Sequence, residues 1–440
     1  MKKFSRSYFS RWYIPVAACI AISAIACSTK NKDNAPGTIV PDKNNAELKL
    51  PEGFGALKVA DSIGEARHLV VNRNGDILVK LNRTRDGKGI IILSDKDKDG
   101  RADSNTGFGD YGGTGIALKG NYLYASSNSS VFRYPLDENG LPEKTNAPDT
   151  IVYGLIDRRQ HNSKSIILDD NDNIYVNIGA YSNACQERDR TKDSPGMYPC
   201  PILDSAGGIW QFKANALKQS YGQGTRYATG LRNVVGLDWN RQDQSLYVMQ
   251  HGRDNLHDLF PELYDVRASA ELPAEALYKI EKGDDAGWPY IYYDQIQEKN
   301  ILSPEYGGDG KKVPEEGKGK NAIDPIVAFP GHMAPNGLLF YTGSMFPEKY
   351  KNGAFVAFHG SWNRAPEEQE GFMVAFVPFK GGKPSGDWEV FAGGFAGEGP
   401  IMSPGDAEHR PCGLAQGPDG SLYVSDDANG TIYRIIYNAE

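Results

Sequence analysis

Residues 410–430 read RPCGLAQGPDGSLYVSDDANG. An apolar run is followed by a Pro-Asp-Gly turn and then by a β-rich run, Leu422-Tyr423-Val424. Two such runs joined by Asp419-Gly420 predict a hairpin, because that residue pair supports the tight turn. The unit recurs outward along the chain. Earlier copies are ARHLVVNRNGDILVKLN from Ala66, TGIALKGNYLYASSN from Thr114 and HNSKSIILDDNDNIYVNIG from His161. RNVVGLDWNRQDQSLYVMQHG starts at Arg232 and NGLLFYTGSMFPEKYKNGAFVAFHG at Asn336. Several copies are followed by a further strand-like run, such as GGIWQFKA, FMVAFVPF and TIYRIIY.

Six recurrences at roughly 65 residues each predict an all-β chain: a six-bladed β-propeller of four-stranded antiparallel blades. A pair of β-sandwiches is the competing architecture, and the even recurrence argues against it. The expected propeller spans residues 47–440, with one long insertion at about 255–330. TIYRIIY is expected to close the ring beside Phe54–Val59. Composition agrees: 50 Gly, 26 Pro and 24 Tyr suit many short strands and tight turns. The net charge of −8, with both signs interspersed, offers no basic face for nucleic acid.

The N-terminus reads as a targeting segment. Lys2, Lys3, Arg6 and Arg11 precede an apolar run that ends Ala24-Ile25-Ala26-Cys27. That ending is similar to a lipoprotein cleavage box, so residues 1–26 are expected to be a signal peptide and Cys27 a lipidation site. The mature protein would then be held on a bacterial membrane, facing the periplasm or the cell exterior. An ordinary secretory signal with a chance Cys is the plainer reading. Residues 27–46 are expected to be a polar tether. Cys185 and Cys200 flank one predicted loop and would pair in an oxidising compartment.

Propeller geometry brings distant residues together. The start of each first strand and the end of each second strand should lie at one mouth of the axial channel. His68, His161, Arg232, Asn233 and Arg410 occupy such starts; His251 and His359 occupy such ends. A ring of this composition suits an anionic ligand, although any single member could merely satisfy strand-end backbone.

Three further stretches make the chain recognisable. They are Gly230-Leu231-Arg232-Asn233 with Val248 to Asp254, Gly283 to Pro289 (GDDAGWP), and His332 to Pro366 with its HGSWNRAP ending. In their order and spacing they resemble the sorbosone dehydrogenase branch of the soluble quinoprotein glucose dehydrogenase family. The resemblance covers roughly residues 50–437. It implies pyrroloquinoline quinone (PQQ) and calcium as cofactors, and a sugar or aldehyde substrate that gives up hydride to the quinone. It implies His161 as general base, Arg232 stabilising charge on the quinone, and Arg232, Asn233 and His251 at the cofactor. Gly252 and Arg253 would hold the cofactor's calcium through backbone carbonyls, and Arg410 would bind a cofactor carboxylate. The family's cofactor-binding Lys has no counterpart, so His359, Asn363 and Arg364 are expected to supply that contact. No haem motif is present, so electrons must leave through a separate acceptor. The competing function is a non-catalytic, lipid-anchored propeller that binds glycan or protein.

A second calcium position is expected at Asp95, Asp97, Asp99, Arg101 and Asp103. Their alternation around Gly100 matches the first half of an EF-hand loop, but Thr106 stands where the closing Glu would be. An acidic solvated hairpin loop is the plainer reading.

Overall fold

The computed structural model describes residues 39–438. Six sheets make a six-bladed β-propeller; blades 1 to 5 take four antiparallel strands in sequence order, and blade 2 gains a short parallel edge strand, Gln219–Ser220. Blade 1 runs Ala66–Val71, Ile77–Arg85, Lys88–Ser94, Ser104–Phe108. Blades 2 and 3 begin with Ile116–Lys119 and Ile166–Leu168, blades 4 and 5 with Val234–Asn240 and Pro335–Phe340. Blade 6 holds Pro411–Gln416, Leu422–Asp426 and Ile432–Tyr437, and its fourth strand is the N-terminal Phe54–Ala60. Phe54 pairs with Tyr437 and Ala56 with Ile435, so the first and last strands close the ring as expected. The Phe54 ring packs edge-on against Phe346, Tyr350 and Phe391, with centroids 4.9–5.3 Å apart. Closure is thus held by aromatic packing as well as by hydrogen bonds.

The first strand of every blade is innermost. Val70, Ile116, Ile167, Leu237, Leu338 and Leu414, one from each blade, line an axial cavity of about 310 Å³. In blades 1, 4, 5 and 6 the register between first and second strands slips near the start of the first. Such bulges bend a strand and re-aim its side chains. Neighbouring blades also touch there. A Cβ on Gly337 would lie 2.6 Å from the Cys412 carbonyl, and one on Gly413 would lie 2.5 Å from that of Arg67. Only glycine lets adjacent inner strands approach so closely.

Two expected boundaries shift. Residues 255–330 are not one insertion. Glu275–Ile280 and Val327–Phe329 are the third and fourth strands of blade 4. What is inserted is two short helices, Leu256–Leu259 and Val266–Glu271, and a hairpin, Ile291–Asp294 with Lys299–Leu302. The alternating pattern of ALYKI was masked by the polar residues around it. The second shift concerns the tether, whose end is part of the domain. The Asp42 N–H donates to the Ala56 carbonyl at 2.8 Å, and Ala46 and Leu48 are buried in the blade 5–6 core. The signal peptide and Cys27 lie outside the described residues. Among the described residues no helix is long and apolar enough to cross a membrane.

Candidate active site

His161 does not begin a strand. It sits in the loop ahead of Ile166–Leu168, in the left-handed region at φ 51°. Its Nδ1 lies 2.5 Å from the Ala180 carbonyl. A carbonyl only accepts, so Nδ1 carries the proton and Nε2 is the acceptor nitrogen. Gly179 makes the loop possible: a Cβ there would meet the His161 carbonyl at 2.6 Å and Asn233 Oδ1 at 3.1 Å.

His161 shares a cleft of about 190 Å³ with Arg232, Asn233, His251 and Gly252. Asn363 and Trp362 complete the rim, and Trp362 is exposed. Strand ends and loops from four parts of the chain therefore meet, as propeller geometry requires. Burial, then Arg232, lowers the pKa of both His161 and His251 to about 3. Both imidazoles are neutral at ordinary pH.

Asp254 organises the cleft. Its Oδ2 accepts from Arg232 Nη2 and from Arg190 Nη2, each at 2.7 Å. Its Oδ1 accepts from Asn363 Nδ2 at 3.0 Å. Burial pushes this carboxyl up, but Arg232 and Arg190 outweigh it and hold the group below the usual carboxylate range. Arg232 also donates through Nε to the Asn183 carbonyl, through Nη1 to the Gly252 carbonyl and through Nη2 to Asn183 Oδ1. That leaves one of its five N–H groups, on Nη1, for anything else. Glu275 accepts the Gly252 N–H, and burial raises its pKa to about 8. The carboxyl is therefore mostly neutral at pH 7. His332 donates through Nε2 to the Ser269 and Leu272 carbonyls and accepts from Asn363 at Nδ1.

Several expected contacts go elsewhere. The Arg253 side chain turns away and forms a buried two-pronged ion pair with Glu305, at 2.6 Å to each oxygen. The Gly252 carbonyl, expected on calcium, already accepts from Arg232 at 2.7 Å. Arg364 is buried outside the cleft, where it clamps the Ala270, Gly331 and Glu368 carbonyls and pairs with Glu271. His359 and Arg410 are not on the cleft wall. His359 Nε2 binds Asp427 at 2.5 Å, and Arg410 donates to the His359 and Gly360 carbonyls. In the acidic loop, Asp95, Asp97 and Asp99 bring carboxylate oxygens within 4.8 Å of one another. Asp103 does not join them; its Oδ2 accepts the Lys96 and Asp97 N–H groups. The Arg101 guanidinium reaches the Lys58 carbonyl and pairs with Asp42. Cys185 and Cys200 form the expected disulfide.

The family model described as TrAA12-like matches residues 48–438. This chain belongs to the TrAA12-like family. Among solved structures, the pyranose dehydrogenase PQQ domain of Coprinopsis cinerea superposes with a TM-score of 0.70 at 20% identity, over 88% of this chain and 97% of that one. The family AA12 enzyme of Trichoderma reesei gives 0.72 at 19% identity, over 91% and 100%. At such identities these likenesses show the fold. In sequence, the PQQ-dependent pyranose dehydrogenase of Coprinopsis cinerea is 28% identical over 234 residues, 47% of this chain but only 30% of that enzyme. An uncharacterized protein of Borreliella burgdorferi is 24% identical over 91% of this chain and 93% of its own length. The resemblance to quinone-dependent sugar dehydrogenases read from the sequence thus stands, and the propeller with it. Arg190, Asp254, Glu275 and His332 are cleft residues of this TrAA12-like chain that sequence reasoning did not single out. Asp254 and His332 had a signal, one adjacent to the HGR run and the other opening the His332 to Pro366 stretch; Arg190 and Glu275 had none that a single sequence displays.

Proposed function

We propose that this protein oxidises a sugar-like substrate, an aldose, sorbosone-like aldehyde or polyol, with PQQ and calcium as cofactors. One observation carries the reading: His161 presents a neutral acceptor nitrogen inside a cleft that also offers guanidinium donors and side-chain oxygens without a partner. Two guanidiniums share Asp254, Arg190 Nε also lies 3.9 Å from Asp189 Oδ2, and the neighbouring imidazoles are neutral. Such a cleft fits a planar polyanion. It also fits a cation beside that anion, because Asn233 Oδ1 and Asn363 Oδ1 are buried without a partner. These two oxygens, with Glu275 once it gives up its proton to the cation, would hold calcium, which prefers oxygen donors.

PQQ, when bound, supplies the two-electron acceptor for hydride. His161 Nε2 takes the substrate hydroxyl proton, and the Ala180 carbonyl keeps the ring in the tautomer that can do so. Asp254 holds Arg232 in place, and the free Nη1–H of Arg232 offers a donor toward developing negative charge. Electrons pass on to a separate acceptor. The leader and Cys27 support membrane anchoring by acyl chains, tested by loss of fatty-acid labelling in Cys27→Ser.

The test adds PQQ and calcium to apoprotein and follows the quinone absorbance with a panel of sugars and aldehydes. Bleaching by at least one substrate is expected. Tight quinone binding with no bleaching by any of them would favour the non-catalytic binder.

A further inference from the structure

We infer that Arg190, carried into the cleft on the disulfide-closed loop 185–200, binds a carboxylate of the cofactor. The inference rests on the quinone reading above.

The loop is built to present this side chain. Cys185–Cys200 ties its ends. Asp189 pins its middle: Oδ1 accepts from Ser182 Oγ at 2.6 Å and the Asn183 N–H at 2.8 Å, and Oδ2 accepts from Gln160 at 2.7 Å. Arg190 follows at φ 51°, a conformation that residues other than glycine rarely adopt. The unusual backbone turns its guanidinium back toward the propeller. There Nη1 meets Asn255 Oδ1 at 2.6 Å and Nη2 meets Asp254 Oδ2 at 2.7 Å.

Charge matching of Asp254 does not explain Arg190, and Asp189, whose Oδ2 lies 3.9 Å from Arg190 Nε, is beyond hydrogen-bond distance and spends its oxygens on Ser182, Asn183 and Gln160. Arg232 already reaches the same Asp254 oxygen at 2.7 Å, and its side chain is only 4% exposed. A second guanidinium on that oxygen brings two like charges together in a largely buried site. Such an arrangement is costly alone and favourable once an anion arrives. Arg190 is the member that a ligand can reach, its side chain being 31% exposed. One N–H on Nη1 and one on Nη2 remain uncommitted, and these can donate to a carboxylate.

The test uses full-length apoprotein as wild type, Arg190→Gln and Arg190→Lys, with circular dichroism and thermal melts confirming the fold. Quinone binding is titrated by absorbance and tryptophan quenching, with PQQ and with its trimethyl ester. Arg190→Gln should weaken PQQ on the order of 30-fold, the scale of a hydrogen bond to a charged group. The ester should bind wild type and Arg190→Gln alike, and Arg190→Lys should restore part of the PQQ affinity. A Cys185→Ser/Cys200→Ser variant should weaken PQQ in the same direction. Unchanged PQQ affinity in Arg190→Gln overturns the inference, as does equal weakening of acid and ester, which would mark Arg190 as mere support for Asp254. If Arg190→Gln does not fold, the acid–ester contrast in Arg190→Lys decides. Wild type that binds neither form would remove the quinone reading itself, a result distinct from a wild type that binds and a variant that does not differ.

Discussion

Two groups of arginine, histidine and aspartate lie at the same end of the blades, and they differ in what they leave over. In the cleft, Asp254 is divided between Arg190 and Arg232, and Asn233 Oδ1 and Asn363 Oδ1 have no partner. In the neighbouring group, Asp427 pairs with Arg67 at 3.2 Å and with His359 at 2.5 Å. Asp426 binds the Arg410 N–H and His409, and the Arg410 guanidinium is engaged by the His359 and Gly360 carbonyls. Arg67 also approaches the buried Cys412 thiol, whose pKa burial pushes up to about 12. Residue types are nearly the same in both groups. The neighbouring group leaves Arg67 Nε without a partner, whereas the cleft leaves two open side-chain oxygens, which suit a cation.

The largest expected effect separates the groups by chemistry. His161→Ala should lower kcat by about 10²–10⁴, the scale of a lost general base, while PQQ binding persists. Stopped-flow bleaching of the quinone measures both, and a variant that bleaches at the wild-type rate would move the base elsewhere.

The second effect is on stability and belongs to the other group. Asp427→Asn breaks a buried ion pair and should cost about 3–5 kcal/mol in denaturant unfolding. PQQ affinity should not change. A weakened affinity would join the two groups into one site and restore the cofactor role expected for Arg410.

Acid should act on both groups, with a sign set by the histidines. His161 and His251 have folded pKa values of about 3 and His68 of about 4, all depressed first by burial. Unfolded histidines titrate near 6.5. Between these values the unfolded chain binds protons that the folded chain does not, so stability should fall as pH drops from about 6.5 toward 4. Denaturant midpoints across that range measure it. In the same range kcat/KM should lack the acid limb of an ordinary histidine, because His161 is still neutral. A limb near pH 6.5 would contradict its burial.

The smallest effect tests a region outside both groups. Chelation should lower the melting temperature by a few degrees if the Asp95–Asp97–Asp99 loop holds calcium, and Asp97→Asn should abolish that sensitivity. An unchanged melting curve would leave the loop as a solvated hairpin.

Much of the fold was legible because strand pairing follows a local pattern. Apolar runs, Gly-containing turns and the Leu-Tyr-Val runs marked the blades, and TIYRIIY announced the closing partner of Phe54–Ala60. The blade 4 strand Glu275–Ile280 was missed because inserted helices separate it from its partner. The shared cleft of Arg232, Asn233 and His251 was legible from strand-end positions, and that of His161 and Asn363 from the resemblance. The guanidiniums of Arg253, Arg364 and Arg410 are engaged away from the cleft, since a long side chain can turn either way from one backbone position. Arg253 is decided by Glu305, 52 residues further on.

Periodicity, turn chemistry and motif order determined the propeller and the end of it where chemistry gathers, because these depend on residues near one another in the chain. Which charges are matched and which remain open was decided only by the tertiary structure. Ion pairing depends on distances of a few ångströms between residues remote in sequence, and Asp254 shared by Arg190 and Arg232 is the instance on which this protein's proposed function turns.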